Sequence, residues 1–280
     1  MPTRREFFKS TGGAFLAASS AGQFLGCAAR ASQSSQSIGV QLYTVRRLMA
    51  ESVAQTLDRV AAIGYEEVEF AGYFDHSPAE IKDLLGQAGL TAPSVHVGYG
   101  VLTDQWEAML DTAQEIGHDY LVCPSLPREL MASAEGYKEI ADVFNNAGSL
   151  ANERRLKFAF HNHAGEFELV DGRKGYDVLL EECDPELVSF QMDIFWTVRG
   201  GADPLEYFDR HPGRFTSLHV KDMAADGSMV DVGQGEIDFE RIFSRRDEAG
   251  IEHLFVEHDN PADPIDSITN SHRHMRSLGL

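Results

Sequence analysis

From residue 38 onward, short apolar runs rich in β-branched and aromatic residues alternate with stretches whose apolar positions recur at helical spacing. The strand pattern falls at 38–43, 66–70, 92–97, 120–123, 157–161, 188–193, 215–220 and 253–257. Helical periodicity occupies 51–62, 78–88, 104–116, 134–152, 176–183, 204–210, 239–248 and 264–277. The second helix is the best signalled: Ser77 can cap it, Pro78 takes its first position and Glu80 completes a capping box. Ser133 and Asp203-Pro204 are further starts, and Gly64, Gly89, Gly117 and Gly250 stand where helices should stop. Eight strand–helix units in the space of one domain predict an α/β fold, a single (β/α)8 or TIM barrel. A doubly wound open sheet would show a glycine-rich turn after its first strand. Here that strand runs into Gln41-Leu42-Tyr43-Thr44-Val45-Arg46, and no phosphate-binding glycine motif occurs.

In a barrel the active site forms at the C-terminal ends of the strands. Read in order, those ends carry Gln41 and Tyr43, Glu69, His96, Cys123, His161 and His163, Asp193, His219 and Lys221, and Glu257 with Asp259. Strand parity sharpens this. In the fifth strand Ala159, His161 and His163 oppose Phe158 and Phe160; in the sixth Ser189, Gln191 and Asp193 oppose Phe190 and Met192. In the seventh, Ser217, His219 and Lys221 oppose Leu218 and Val220. Large apolar residues can face the helices, leaving small and polar ones toward the barrel axis. Buried charge there needs a partner, and a divalent metal supplies one.

Asp193, His219 and Glu257 end three consecutive strands, and His161 ends the one before. These four are the expected ligands, with His163 sharing the inward parity of His161. Imidazole with carboxylate suits Mn, Co or Zn better than a hard oxygen-only ion. Each residue alone has an ordinary reading: a satisfied core histidine, a loop-capping Asp, a Glu paired with Arg. Their joint placement favours the metal. Glu69 and His96 read as substrate or supporting groups, Cys123 as packing.

Composition narrows the partners. Of 280 residues 43% are hydrophobic and 24% charged, a globular rather than disordered balance. Lys plus Arg number 24 against 44 Asp plus Glu, a net charge of −20. Nucleic acid is an unsuitable partner for such a surface, as is an anionic membrane. Six Lys against eighteen Arg, with this carboxylate excess, would suit solubility in salt. Cys123 and Cys183 leave either one disulfide or two buried thiols, and no zinc or redox spacing involves them.

Residues 1–31 read as an address. Thr3-Arg4-Arg5-Glu6-Phe7-Phe8-Lys9 resembles a twin-arginine export signal, followed by a weakly apolar stretch and a small-residue cleavage site at Ala29-Arg30-Ala31. Cys27 lies in an imperfect lipoprotein box and is an alternative lipid anchor. Residues 32–37 form a polar linker, and no run is apolar enough to span a membrane. The expectation is an exported protein, periplasmic or extracellular.

Phe158-Ala159-Phe160-His161-Asn162-His163-Ala164-Gly165-Glu166-Phe167 resembles the "YHNH…EF" signature of sugar phosphate isomerase/epimerase-like proteins, the xylose-isomerase-like TIM barrels. Met192-Asp193-Ile194-Phe195-Trp196, followed by Gly200-Gly201-Ala202-Asp203-Pro204, is similar to their sixth-strand segment. Arg214 to Asp222 resembles their "R…HxKD" seventh strand. The resemblance covers residues 38–280. It implies one divalent ion on His161, Asp193, His219 and Glu257. Ketose 3-epimerases of the superfamily carry a Glu at the position of His161, so two-carboxylate epimerisation is not expected. Exported relatives resembling 3-keto-glycoside lyases or hydrolases, and inosose-processing enzymes, share the histidine.

The resemblance further implies an enediolate made from a keto-sugar by Lewis-acid catalysis. Glu257 or His163 would take the proton, Lys221 would steady the oxyanion, and Glu166 would assist. Gln41, Glu69, His96 and Trp196 would shape the sugar pocket. Reprotonation gives an isomerase or epimerase, which is the expected enzyme class; loss of a β-substituent gives a 3-keto-glycoside lyase or hydrolase, the close alternative. Competing readings are a DNA-repair endonuclease, opposed by the acidity, and a non-catalytic sugar-binding barrel, which would need no metal. A small sugar is the expected partner, and a homo-oligomer is left open.

Overall fold

The computed structural model describes residues 36–280. The expected leader, Cys27 and most of the linker lie outside them. Eight parallel strands close a barrel: β1 (Ile38–Gln41), β2 (Glu67–Phe70), β3 (Thr91–His96), β4 (Tyr120–Cys123), β5 (Lys157–His161), β8 (Val188–Asp193), β9 (Phe215–Val220) and β12 (His253–Val256). Pairing of β1 with both β2 and β12 completes the ring, with Gly39 opposite Glu67 on one side and Phe255 on the other. Two short hairpins lie outside it: β6 (Leu169–Val170) with β7 (Arg173–Lys174), and β10 (Asp222–Met223) with β11 (Met229–Val230). Among the described residues no helix is long and apolar enough to cross a membrane.

Local chemistry sets most helix ends as expected. The Ser77–Glu80 capping box opens Pro78–Ala88, and Gly89 closes it at φ 71°; Gly64, Gly117 and Gly250 close their helices in the same left-handed region. Other elements differ from the pattern. Strand β1 stops at Gln41, because the Gln41 side chain accepts the Tyr43 N–H at 3.0 Å and turns 42–45 into a 3-10 helix. The helix expected at 51–62 is two, Arg46–Glu51 and Val53–Ile63, parted by Ser52, which is extended and caps the second. A helix at Ile194–Arg199 follows β8 directly, its Trp196 N–H donating to Asp193 Oδ1.

Register is shifted twice, each time by an extra residue in one strand: in β3 beside Glu67 and Glu69, where Pro93 cannot donate to a ladder, and in β9 beside Phe190 and Gln191. The main core lies between strands and helices, whereas the barrel axis holds a small separate apolar group of Tyr120, Val122 and Ala159. Above that group the axis is polar, as parity predicts. Cys123 and Cys183 are free buried thiols, pushed up to about 12 by burial. His118 is a structural histidine: Nδ1 lies 2.6 Å from the Ala92 carbonyl, and Nε2 accepts from the Tyr73 hydroxyl at 2.9 Å. Burial lowers its pKa to about 4.

Candidate metal centre and active site

The strand ends converge as a layered polar site. Asp193 and His219 are direct neighbours in the β8–β9 ladder, and Glu257 follows the end of β12. Their atoms Asp193 Oδ2, His219 Nδ1 and Glu257 Oε2 form a compact buried triad. His161 Nε2 lies 3.8 Å from Asp193 Oδ2. His96, His161 and His219 form a second, overlapping triad. The donors fit a divalent ion by a direct observation. His219 Nδ1 is 2.7 Å from Glu257 Oε2, and Lys221 Nζ is 3.0 Å from Asp193 Oδ2. Yet Asp193 Oδ2 and His219 Nδ1 are buried without a hydrogen-bond partner. The ligand atoms of Asp193, His219 and Glu257 all lie within 4.8 Å of one another, close enough for one cation to take them together.

Behind the triad stands Glu69, fully buried. Its Oε1 lies 2.5 Å from His219 Nε2 and accepts from Gln41 Nε2 at 2.7 Å, while Oε2 accepts from Gln191 Nε2 at 2.7 Å and from Ser94 Oγ. His96 Nε2 is 3.1 Å from the same Oε1. Burial alone would raise the Glu69 pKa, but the imidazoles of His96 and His219 outweigh it and hold the carboxylate well below its usual range. A carboxylate on Nε2 orients the ring so that Nδ1 faces the triad. Burial likewise opposes charge on His219, yet Glu257 and Glu69 raise it to about 10. Gln191 joins the network, its Oε1 lying 2.8 Å from His96 Nε2 and 3.1 Å from His161 Nδ1.

Lys221 is buried among three carboxylates, 2.7 Å from Glu257 Oε2 and 2.7 Å from Asp259 Oδ1 besides Asp193. Burial would lower its pKa, but these carboxylates raise it above the ordinary lysine value, so it stays an ammonium. Glu257 is held well below its usual value: burial raises it, and Lys221 with His219 more than reverses that. Burial dominates at Asp193 and raises its pKa despite Lys221. The backbone of Asp193 is clamped by Asn162, whose Oδ1 accepts the Asp193 N–H at 3.1 Å.

A cavity of about 390 Å³ opens above this layer. Its floor is His161, His163, Lys221 and Glu257; Ala71, His96 and Pro124 form one wall, and Tyr43, Asp259 and Asn260 the mouth. His163 is neutral, its pKa lowered to about 4 by burial first and Lys221 second. Besides the expected ligands Asp193 and His219, four expected site residues do not line this cavity. Gln41 and Glu69 were expected to touch the sugar, but both are fully buried beneath it with their polar atoms engaged. Trp196 packs its ring 5.5 Å from that of His163, so it backs the floor. Glu166 was expected in the chemistry, but its carboxylate accepts the His163 backbone N–H at 2.8 Å and positions that residue. Asp259, Gln191, Asn162 and the mouth residue Asn260 had no assigned role. Parity already turned Gln191 inward, whereas Asn260 follows the strand with no local signal.

Comparison with known proteins agrees with this architecture. A relative named inosose dehydratase, from Geobacillus thermodenitrificans, is 23% identical over 240 residues, spanning 72% of this chain and 80% of its own. A sugar phosphate isomerase/epimerase crystal structure from Parabacteroides distasonis superposes with a TM-score of 0.76 at 28% identity, covering 86% of this chain and 98% of that one. The IolI protein, solved with a bound zinc atom, superposes with a TM-score of 0.69 at 16% identity, over 87% of this chain and 98% of its own. Residues 57–278 match the family described as xylose isomerase-like TIM barrel, and the chain belongs to that family of enzymes.

Proposed function

We propose that this enzyme enolises a cyclic keto-sugar at a divalent metal held by His161, Asp193, His219 and Glu257, and then expels a substituent β to the carbonyl, as a lyase. The observation that carries this reading is the convergence of Asp193 Oδ2, His219 Nδ1 and Glu257 Oε2 under a cavity floored by His163 and Lys221. A divalent ion there supplies Lewis-acid polarisation of the substrate carbonyl, acidifying the adjacent C–H. His163, neutral at pH 7, offers a ring-nitrogen lone pair for that proton. The Lys221 ammonium, held in place by three carboxylates, donates to the oxygen that gains negative charge. Glu166 fixes His163 through its backbone, and Glu69 fixes His219 through Nε2. The C–H pair becomes the new C=C bond, the β C–O bond breaks, and the abstracted proton leaves with the departing oxygen.

A lyase outcome is supported by the inosose dehydratase relative and by the imidazole, rather than carboxylate, contributed by β5. Metal use is supported by the zinc bound in the IolI neighbour. Reprotonation without loss, an isomerase or epimerase outcome, is the second reading, favoured by the Parabacteroides neighbour at 28% identity. The twin-arginine-like leader supports an exported enzyme.

The test uses purified protein loaded with Mn2+, Co2+ or Zn2+ and offered inososes and 3-keto-glycosides in D2O. Elimination accompanied by deuterium exchange at the α-carbon is expected, lost in Asp193→Ala together with bound metal. Exchange without elimination selects the isomerase. Absence of bound metal, with neither exchange nor elimination, overturns both.

A further inference from the structure

The mouth of the cavity carries an aromatic ring that the chemistry at its floor does not use. Tyr43 lines the cavity yet is 42% exposed, one of few large hydrophobic residues in that position among the described residues. It is nonetheless held firmly. Its N–H donates to Gln41 Oε1 at 3.0 Å, and Gln41 is itself anchored on buried Glu69. Its carbonyl accepts from Arg46 Nη1 at 2.7 Å, and the Arg46 guanidinium lies 3.9 Å from the centre of the Tyr43 ring. The same guanidinium donates to the Asp259 carbonyl at 2.8 Å and to Asn260 Oδ1 at 2.7 Å. Arg46 thus ties the turn after β1 to the loop after β12 and covers one face of the ring.

An exposed aromatic ring loses solvation only when something flat and apolar covers it, and a ring already braced pays little entropy to be covered. The cavity's volume of about 390 Å³ lies within the range of sites for drug-sized ligands, and its lining runs from the buried Lys221 to the exposed Tyr43. We propose that Tyr43 is a stacking platform for a second ring, so that the substrate is a keto-sugar in glycosidic linkage to another ring, sugar or aryl, rather than a free monocyclic keto-sugar. This rests on the reading that the keto-sugar sits over the floor formed by His163 and Lys221. The second ring, as the β-substituent, is then the group that leaves.

The test measures binding apart from turnover. Metal-loaded full-length protein is titrated calorimetrically with methyl β-D-glucopyranoside and phenyl β-D-glucopyranoside, which lack the ketone and do not react. The phenyl glycoside is expected to bind about tenfold more tightly. That ratio should collapse toward one in Tyr43→Ala and Tyr43→Leu and persist in Tyr43→Phe. The leucine variant carries the test if the alanine variant fails to fold. A wild-type ratio near one, including no binding of either, overturns the platform, as does a ratio retained in both non-aromatic variants. Deuterium exchange into a 3-keto-glycoside is measured separately. An intact ratio without exchange overturns the reaction and leaves the platform standing; exchange with a ratio near one does the reverse.

Discussion

Glu69→Gln changes one charge and almost no volume, and its consequences can be worked atom by atom. In the native protein both carboxylate oxygens only accept, from Gln41, His219, Gln191 and Ser94. An amide must place an NH2 group on one side. Facing Oε1's partners it would meet His219 and Gln41. Facing Oε2's partners it would meet Gln191, whose own oxygen is already used by His96 and His161. The Ser94 hydroxyl can turn to accept, so the smallest loss is the Gln191 contact, where two N–H donors would face each other. That costs about 1–3 kcal/mol, or a fall in melting temperature of roughly 4–8 °C for about 2 kcal/mol in a chain of this size. The lost charge also removes the group that orients His219. Removing such support behind a metal-binding histidine costs about 10–100-fold in metal affinity, equivalent to about 1.4–2.7 kcal/mol. Competition against a chelator of known affinity measures the second effect and a thermal melt the first. A folded Glu69→Gln protein that binds Mn2+ or Zn2+ within twofold of wild type would refute the orienting role.

Other consequences follow from the same structure. His118 has a pKa lowered to about 4, below the unfolded value of about 6.5, so the unfolded chain binds the extra proton between those values. Its contribution to stability is complete above about pH 6.5 and falls by roughly 2–3 kcal/mol by about pH 4.5. Urea titrations should show a shallower acid loss in His118→Asn, and an identical pH slope would exclude this residue as a source. Gly148→Ala tests propensity against packing: alanine favours a helix by about 1 kcal/mol, but a Cβ there would stand 2.3 Å from the Leu187 carbonyl oxygen. A net loss of about 1–2 kcal/mol is expected from overpacking, and a stabilised variant would show that the neighbouring backbone yields. A reporter fused behind residues 1–31 should be exported, and Arg4→Lys with Arg5→Lys should retain it in the cytoplasm; export of the double variant would remove the twin-arginine reading.

The barrel was legible because each strand–helix unit announces itself locally. The Ser77 capping box and the glycine after each of four helices need only neighbouring residues to act. Boundaries failed where a side chain intervened: Gln41 ends β1 by capping Tyr43, and Ser52 splits a helix. The triad Asp193, His219 and Glu257 could be selected from strand ends and inward parity, both period-two properties of the chain. The roles of its surroundings could not. Gln41 and Glu69 carry the polar groups expected of sugar-binding residues, and nothing in their own strands distinguishes a residue lining a cavity from one sealed beneath it.

What the sequence alone determined is therefore the eight-unit alternation, the helix punctuation and the polarity of the barrel's upper axis. These follow from propensity, capping and side-chain alternation, which act over a few residues. Tertiary structure alone decided that Glu69 supports His219 from 150 positions away, that Asp259 meets Lys221, and that Arg46 braces Tyr43 against the loop after β12. The physical reason is closure. Only when β1 pairs with both β2 and β12 do strand ends distant in sequence share one axis. Only then do the partners of each carboxylate, and the face each ring leaves open, become defined.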